Sequence, residues 1–137
     1  VEEGSVRIFI EDESEERIIR FGYKENIIVS LDSFLSGKPS EFYIQAIKAS
    51  TVKVASKSVF YEFISSNSEN LKLWNSILED LVLQQIEREK DLLYSSPKIR
   101  YERVLKRSPK LFQEIPNKYI ANYLRMSPET LSRLKKS

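Results

Sequence analysis

The residues whose types and spacing could do chemistry sit close to the C-terminal end of the chain. Ser127, Glu129, Thr130, Ser132, Arg133, Lys135 and Lys136 fall within ten positions and supply three hydroxyls, one carboxylate and three cations. On one helix, such groups suit the surface of a nucleic acid. A guanidinium pairs with guanine O6 and N7, a carboxylate accepts from a cytosine amino group, and hydroxyls and ammonium groups hold phosphates. Catalysis has far less to work with. The sequence holds no His and no Cys. That removes the usual general base, the usual zinc ligand, the Ser-His and Cys-His pairs, thiolate chemistry and disulfides. Three glycines in 137 residues do not make a phosphate-cradling loop. No pair of carboxylates is set apart by its spacing. An enzyme is not expected, and neither a metal nor a cofactor is implied.

The elements that would position these side chains can be read around them. Ser127-Pro128 is a helix start: a hydroxyl to cap free N–H groups, then a residue with φ preset and no N–H to leave unpaired. Leu131 and Leu134 give that helix an apolar edge. Before it, Ile120, Ala121 and Leu124 form a second stripe, with Met126 at the corner. The spacing predicts a helix-turn-helix whose second helix is the reader. Arg133 is the expected base reader, and Glu129 either accepts from cytosine or pairs with Arg133 at i, i+4. Ser127, Thr130, Ser132, Lys135 and Lys136 are expected to hold phosphates or register. Asn117, Lys118 and Tyr119, on the first helix, are secondary phosphate candidates.

Charge is divided along the chain. Residues 95–137 carry eleven Lys/Arg against three Asp/Glu, whereas residues 1–94 carry eleven against seventeen. A basic end on an acidic body suits a polyanion-binding module joined to something else, although a merely solvated basic surface has the same composition. The apolar runs are too short for a membrane span.

The acidic body opens on β-rich stretches. Residues 6–10 and 17–23 flank an acidic turn and predict a hairpin, with further strands at 27–29, 41–49 and 51–55. Residues 31–40 contain Gly37 and Pro39 and predict a loop with a helical turn at 33–35. From residue 58 the period becomes helical: a short helix over 58–65, then one long pattern over 68–94, roughly 40 Å at 1.5 Å per residue. Leu71, Trp74, Leu78, Leu81 and Gln85 mark a seam along it. The seam either meets a twin helix in a homodimer or packs on the chain's own sheet; its length favours the twin. Ser-Pro recurs at 96, 108 and 127, predicting sharp helical corners, with a helix over 98–107 that turns Ile99, Val104 and Leu105 inward and Arg100 outward.

The order of strands, long helix and basic helical end resembles the bacterial transcription regulators of the cyclic-AMP receptor protein and fumarate-nitrate regulator family (Crp/Fnr), in a Bacteroidetes-like form. The specific part is IANYLRMSPETLSRL, residues 120–134, close to the family pattern IA-x-x-LG-[IM]-[ST]-x-ET-[LV]-S-R. FLSGKPSEFYIQA, residues 34–46, is similar to the sensor loop and strand that hold the phosphate in nucleotide-binding members. The resemblance implies an α+β chain in three parts. Residues 1–67 would be a partial β-roll, a cyclic-nucleotide-binding-like jelly roll lacking its first strands. Residues 68–94 would be a dimerisation helix and residues 95–137 a helix-turn-helix domain. Several more strands are expected before Val1, and nothing at the C-terminal end matches the β-wing of longer members.

The departures from the pattern bear on function. Val29 and Ser30 stand where nucleotide-binding members have Gly-Glu, and Ser40 stands in place of the Arg that pairs with the cyclic phosphate. Glu41 beside it would repel phosphate. Ser30, Gly37, Ser40 and Glu41 therefore mark a degenerate effector pocket, either a relic or a site for another ligand. Absent Cys and His, the family's iron–sulfur and haem modes do not fit either. Arg125 replaces the family's turn Gly; if left-handed there, it either gains a phosphate contact or carries a tolerated strain.

The expected function is a cytoplasmic, homodimeric, sequence-specific regulator reading palindromic double-stranded DNA, with half-sites about 34 Å apart. RNA polymerase is a candidate further partner, and the effector is unknown. The main alternative is a sensor or protein-interaction module that has lost specific DNA binding. A cupin-like barrel enzyme is disfavoured by the absent His ligands.

Overall fold

The computed structural model describes residues 1–137. It is mixed α and β, with one three-stranded antiparallel sheet and seven helices, and the sheet is not closed into a barrel. Strands β1 (Ser5–Asp12) and β2 (Glu15–Tyr23) form the expected hairpin. Glu13 and Ser14 lie between them with φ of 49° and 68°, the left-handed pair that matches the twist of a two-residue hairpin loop. The register slips between Ile8 and Phe9, which face Arg20 and Ile18, so Ile19 is the extra residue of a bulge. β3 (Tyr43–Ala46) pairs with the other edge of β1, giving the order β2-β1-β3.

Two expected strands are absent. Residues 27–29 run unpaired after a turn in which the Asn26 side chain takes the Tyr23 N–H at 2.9 Å. Of residues 51–55, only Thr51 makes a bridge, to Glu3; Val54 is 87% exposed. Alternation marks what a strand could bury, but a strand also needs a free sheet edge beside it. The bend at Gly4, φ +89°, turns β1's continuation away from a regular ladder, and a Cβ there would lie 2.2 Å from Ser50 Oγ. The expected strand over 41–49 shrinks to four residues for the same reason.

Helix α1 (Leu31–Ser36) occupies the expected loop and ends at Gly37 in the left-handed conformation, φ 74°. α2 (Lys57–Ser65) is capped by Ser56, and α3 (Ser68–Leu93) is the long helix. α4 (Pro97–Arg107) starts on Ser96, whose Oγ accepts the Ile99 N–H. α5 (Leu111–Glu114), α6 (Asn117–Tyr123) and α7 (Pro128–Lys136) complete the chain. Of the three Ser-Pro corners, 96 and 127 cap through their hydroxyls. Ser108 instead works through its carbonyl, which accepts from Leu111 N–H.

Two compact units result. One joins Val1–Lys53 to Tyr94–Ser137; the other is Val54–Leu93. The hairpin and the C-terminal helices share one core. Phe9, Ile18 and Phe21 of the strands cluster with Val104, Leu111, Ile115, Ile120, Ala121, Leu124 and Leu131 of the helices. The small sheet has too little area to bury its own apolar face, and the short helices are its cover. Arg7 of β1 is buried in this unit. It pairs with the Glu16 carboxylate and the Gln45 side-chain carbonyl, and its guanidinium lies 4.2 Å from the Phe9 ring centroid. In the second unit, Phe60 of α2 meets Trp74 of α3 edge-on at 4.9 Å.

Candidate nucleic-acid interface

α7 is a helix for local reasons. Ser127 has extended backbone, and its Oγ accepts the Thr130 N–H at 3.1 Å. Pro128 follows, where no N–H is missed. Glu129 lies in the first turn and Arg133, Lys135 and Lys136 in the last, each sign favoured by the helix dipole. Leu131 has no exposed surface, which fixes the helix's roll. Glu129, Ser132, Arg133 and Lys136 consequently share the opposite side, at i, i+3, i+4 and i+7. Glu129, Arg133 and Lys136 are exposed and Ser132 is half-buried. Thr130 borders this side: its Oγ1 lies 2.9 Å from Ser127 Oγ and accepts from Arg133 Nη2 at 3.3 Å. Arg133 thus turns towards Thr130, not towards Glu129.

α6 and the turn after it set where that side points. Ile120, Ala121 and Leu124 are fully buried. Arg125 has φ 58°, so the turn is left-handed where the sequence puts Arg. Met126 N–H donates to Ala121 O at 3.0 Å and Arg125 N–H to Asn122 O at 3.1 Å, the two bonds that close a helix through a left-handed residue. The Arg125 side chain is exposed. Burial first, then the Arg17 guanidinium, lowers its pKa from the ordinary value, and an Arg so lowered remains a cation at neutral pH. At the other end, Lys135 Nζ donates to Asn117 Oδ1 at 2.8 Å, bringing the end of α7 to the start of α6. Lys118 beside it is exposed, its Nζ 4.8 Å from the Tyr119 ring centroid. Cations therefore stand at both ends of the α6–α7 pair.

Two residues that no sequence pattern assigns to the site hold the pair in place. Arg100, expected to face outward, is 9% exposed. Its Nε donates to Leu124 O at 2.8 Å and its Nη2 to Arg125 O at 3.1 Å, while Nη1 donates to Tyr94 O and Ser95 O at 2.8 and 2.9 Å. The one signal in the sequence is its place four residues before Val104, which is 1% exposed; the inward row runs through 100 and 104. Ile99 and Leu105, expected inward, are 40% and 37% exposed, because that row leaves them at its margins. Asn122 is the second residue: its Oδ1 accepts Ile18 N–H at 2.9 Å and its Nδ2 donates to Glu16 O at 2.8 Å, pinning α6 to the open edge of β2.

The expected effector-pocket residues gather around a different group, the Asp32 carboxylate. Ser40 Oγ donates to both its oxygens at 3.0 Å and Glu41 N–H to Oδ2 at 3.1 Å. Burial pushes the Asp32 pKa up, but the bonds from Ser33, Ser40 and Glu41 outweigh it and hold the carboxyl below its usual value. Ser30 contributes only its carbonyl, to Phe34 N–H, and Gly37 closes α1 in open space. An anion beside Ser40 would meet the Asp32 carboxylate.

The seam residues divide. Trp74 and Leu81 are buried, at 6% each. Leu71 (49%) and Gln85 are exposed and Leu78 half-buried. The open apolar row on α3 runs instead through Leu71, Leu78, Val82, Ile86 and Leu93. A single seven-residue seam merges two rows, Leu71/Leu78 and Trp74/Leu81, that point about 60° apart at 3.6 residues per turn.

No three acidic side chains gather to hold a metal ion, and no helix is long and apolar enough to cross a membrane. No protein-family model matches the chain, and no curated protein matches it.

Proposed function

We propose that this chain is a sequence-specific DNA-binding transcription regulator in which α6 and α7 act as a helix-turn-helix, of the kind its sequence resembles in the Crp/Fnr family. The observation that carries the reading is the side of α7 opposite Leu131. Glu129, Ser132, Arg133 and Lys136 line it, on a helix whose roll and turn are both held by buried groups. Arg133 reads guanine; Glu129 reads cytosine; Ser127, Thr130, Lys136, Lys118 and Arg125 hold the phosphates on either side. Lys135 spends its ammonium on Asn117 and contributes mainly to the pose of α7. The chain acts as a homodimer through the open row of α3, placing two copies of α7 in successive major grooves about 34 Å apart. A cytoplasmic location and an encounter with RNA polymerase belong to the same reading. The loop around Asp32 serves no cyclic nucleotide.

Selection from a random duplex library, followed by mobility shift over a salt series, tests the proposal. A palindromic site should emerge, bound with a preference that persists while affinity falls steeply with salt. Arg133→Ala should cost about 1–3 kcal/mol on the best site and relax one base position per half-site. An unchanged site preference in that variant removes Arg133 as a reader. Salt-sensitive binding with no preference at all supports instead an interaction module for acidic partners.

A further inference from the structure

Arg100 lies outside the side of α7 that meets DNA, yet it holds the geometry of that side. Its guanidinium reaches carbonyls on both flanks of the left-handed turn, Leu124 and Arg125, and carbonyls at the start of its own helix, Tyr94 and Ser95. Four of the five N–H donors of one buried cation thus meet carbonyl oxygens. A planar fork with fixed donor directions imposes distance and angle together, which an ammonium does not. The turn needs such a hold. Arg125 sits at φ 58°, where a residue with a Cβ is disfavoured against Gly, and Leu124 and Arg125 are the residues that set the angle between α6 and α7. We infer that Arg100 is the positioning residue of the reader: it fixes the α6–α7 angle, and so site preference, without touching nucleic acid. This role rests on the DNA-binding reading above.

Its chemistry separates it from a phosphate contact. A buried guanidinium with four of its five N–H donors on carbonyls releases no counterion from DNA, so the salt dependence of binding should not include it. It also separates it from a merely structural residue. Loss of orientation should affect the selected site far more than scrambled DNA, because backbone contacts tolerate a shifted helix and base contacts do not.

The experiment uses the full chain, the site selected with the wild type, and a scrambled duplex of equal length. Arg100→Met should weaken the selected site by about tenfold or more, the scale of one or two lost charge-assisted hydrogen bonds. Affinity for the scrambled duplex and the salt slope should stay as in the wild type. Arg100→Lys should recover part of the loss. If Arg100→Met does not fold, Arg100→Lys carries the test, with amide exchange at Arg125 and Met126 as a second reading; faster exchange at both is expected. Equal losses on both duplexes, a reduced salt slope, or a folded variant with unchanged preference and exchange each overturn the inference. A wild type without any site preference overturns the DNA-binding reading itself, and the exchange rates then decide the clamp by themselves.

Discussion

The α6–α7 turn and the loop after α1 are built on the same plan with the charges exchanged. In the first, the Arg100 cation gathers four backbone carbonyls. In the second, the Asp32 carboxylate gathers a hydroxyl and backbone N–H groups. Each contains a left-handed residue, Arg125 at φ 58° and Gly37 at φ 74°. The difference is burial. Arg100 is 9% exposed and its turn leans on Leu124 and Leu131, which have no exposed surface. Asp32 is exposed, and a Cβ at Gly37 would meet nothing within 4 Å. A polar cluster that is shielded from water holds a shape, whereas the same cluster in water exchanges its partners for solvent at little cost. The turn can therefore hold an Arg where Gly is easier, and the loop does not hold a rigid anion site.

The largest effect should separate the two regions at their apolar contacts. Leu131→Ala removes a fully buried side chain and should cost about 2–5 kcal/mol in urea unfolding. Leu35→Ala, in α1 and 64% exposed, should stay within about 0.5 kcal/mol. Equal costs would mean that the two regions are not differently anchored.

Next comes the link from α6 to the sheet. Asn122→Ala leaves Ile18 N–H and Glu16 C=O without their side-chain partner and should cost about 1–3 kcal/mol. Faster amide exchange at Ile18 is the local sign; an unchanged rate would show that Asn122 does not seal the edge of β2.

The left-handed positions should respond with opposite signs. Arg125→Gly relieves the backbone and should stabilise by up to about 1 kcal/mol, while Gly37→Ala should cost about 1 kcal/mol despite the open space around it. Paired chemical-denaturation curves would read both. A destabilised Arg125→Gly would mean that the Arg125 side chain gives the fold more than its φ costs.

The smallest effect is a pH response of the loop. The Asp32 pKa is lower in the fold than its ordinary 3.8, so the order it supports is complete above that value and is lost as pH falls through the lower folded value. An NMR titration of the Glu41 amide should show one acid transition below pH 3.8, absent in Asp32→Asn, with Met126 at the other turn unaffected. A transition shared by both amides would join the two regions into one unit.

Much of this was legible in the chain. The hairpin, the long helix, the Ser-Pro starts at 96 and 127 and the stripe of Ile120, Ala121, Leu124 and Leu131 follow from local rules of period and capping. The absent strands at 27–29 and 51–55 did not, because pairing depends on which sheet edge is free. The double use of α3 was hidden as well: Trp74 and Leu81 look like the same seam as Leu71 and Leu78 until something covers one row and not the other. Among the site residues, Ser127, Glu129 and Arg133 stand out by type and spacing. Arg100 and Asn122 do not. Arg100 reaches the Leu124 carbonyl 24 positions away and Asn122 the Ile18 N–H 104 positions away, so neither partner can be read beside it, and only the inward row through Val104 hints at Arg100.

By itself the sequence determined the helix starts at Ser96 and Ser127, the apolar stripe of Ile120, Ala121, Leu124 and Leu131, that His and Cys chemistry is absent, and that the net positive charge lies at the C-terminal end. These are properties of neighbours within a few residues of one another. Tertiary structure alone decided that the hairpin and the C-terminal helices share a core, that a basic residue on α4 turns inward, and that the turn at Arg125 is held rather than free. The first depends on which apolar faces folding brings together; the other two depend on backbone carbonyls, which are the same in every residue and take on meaning only when folding places a partner beside them.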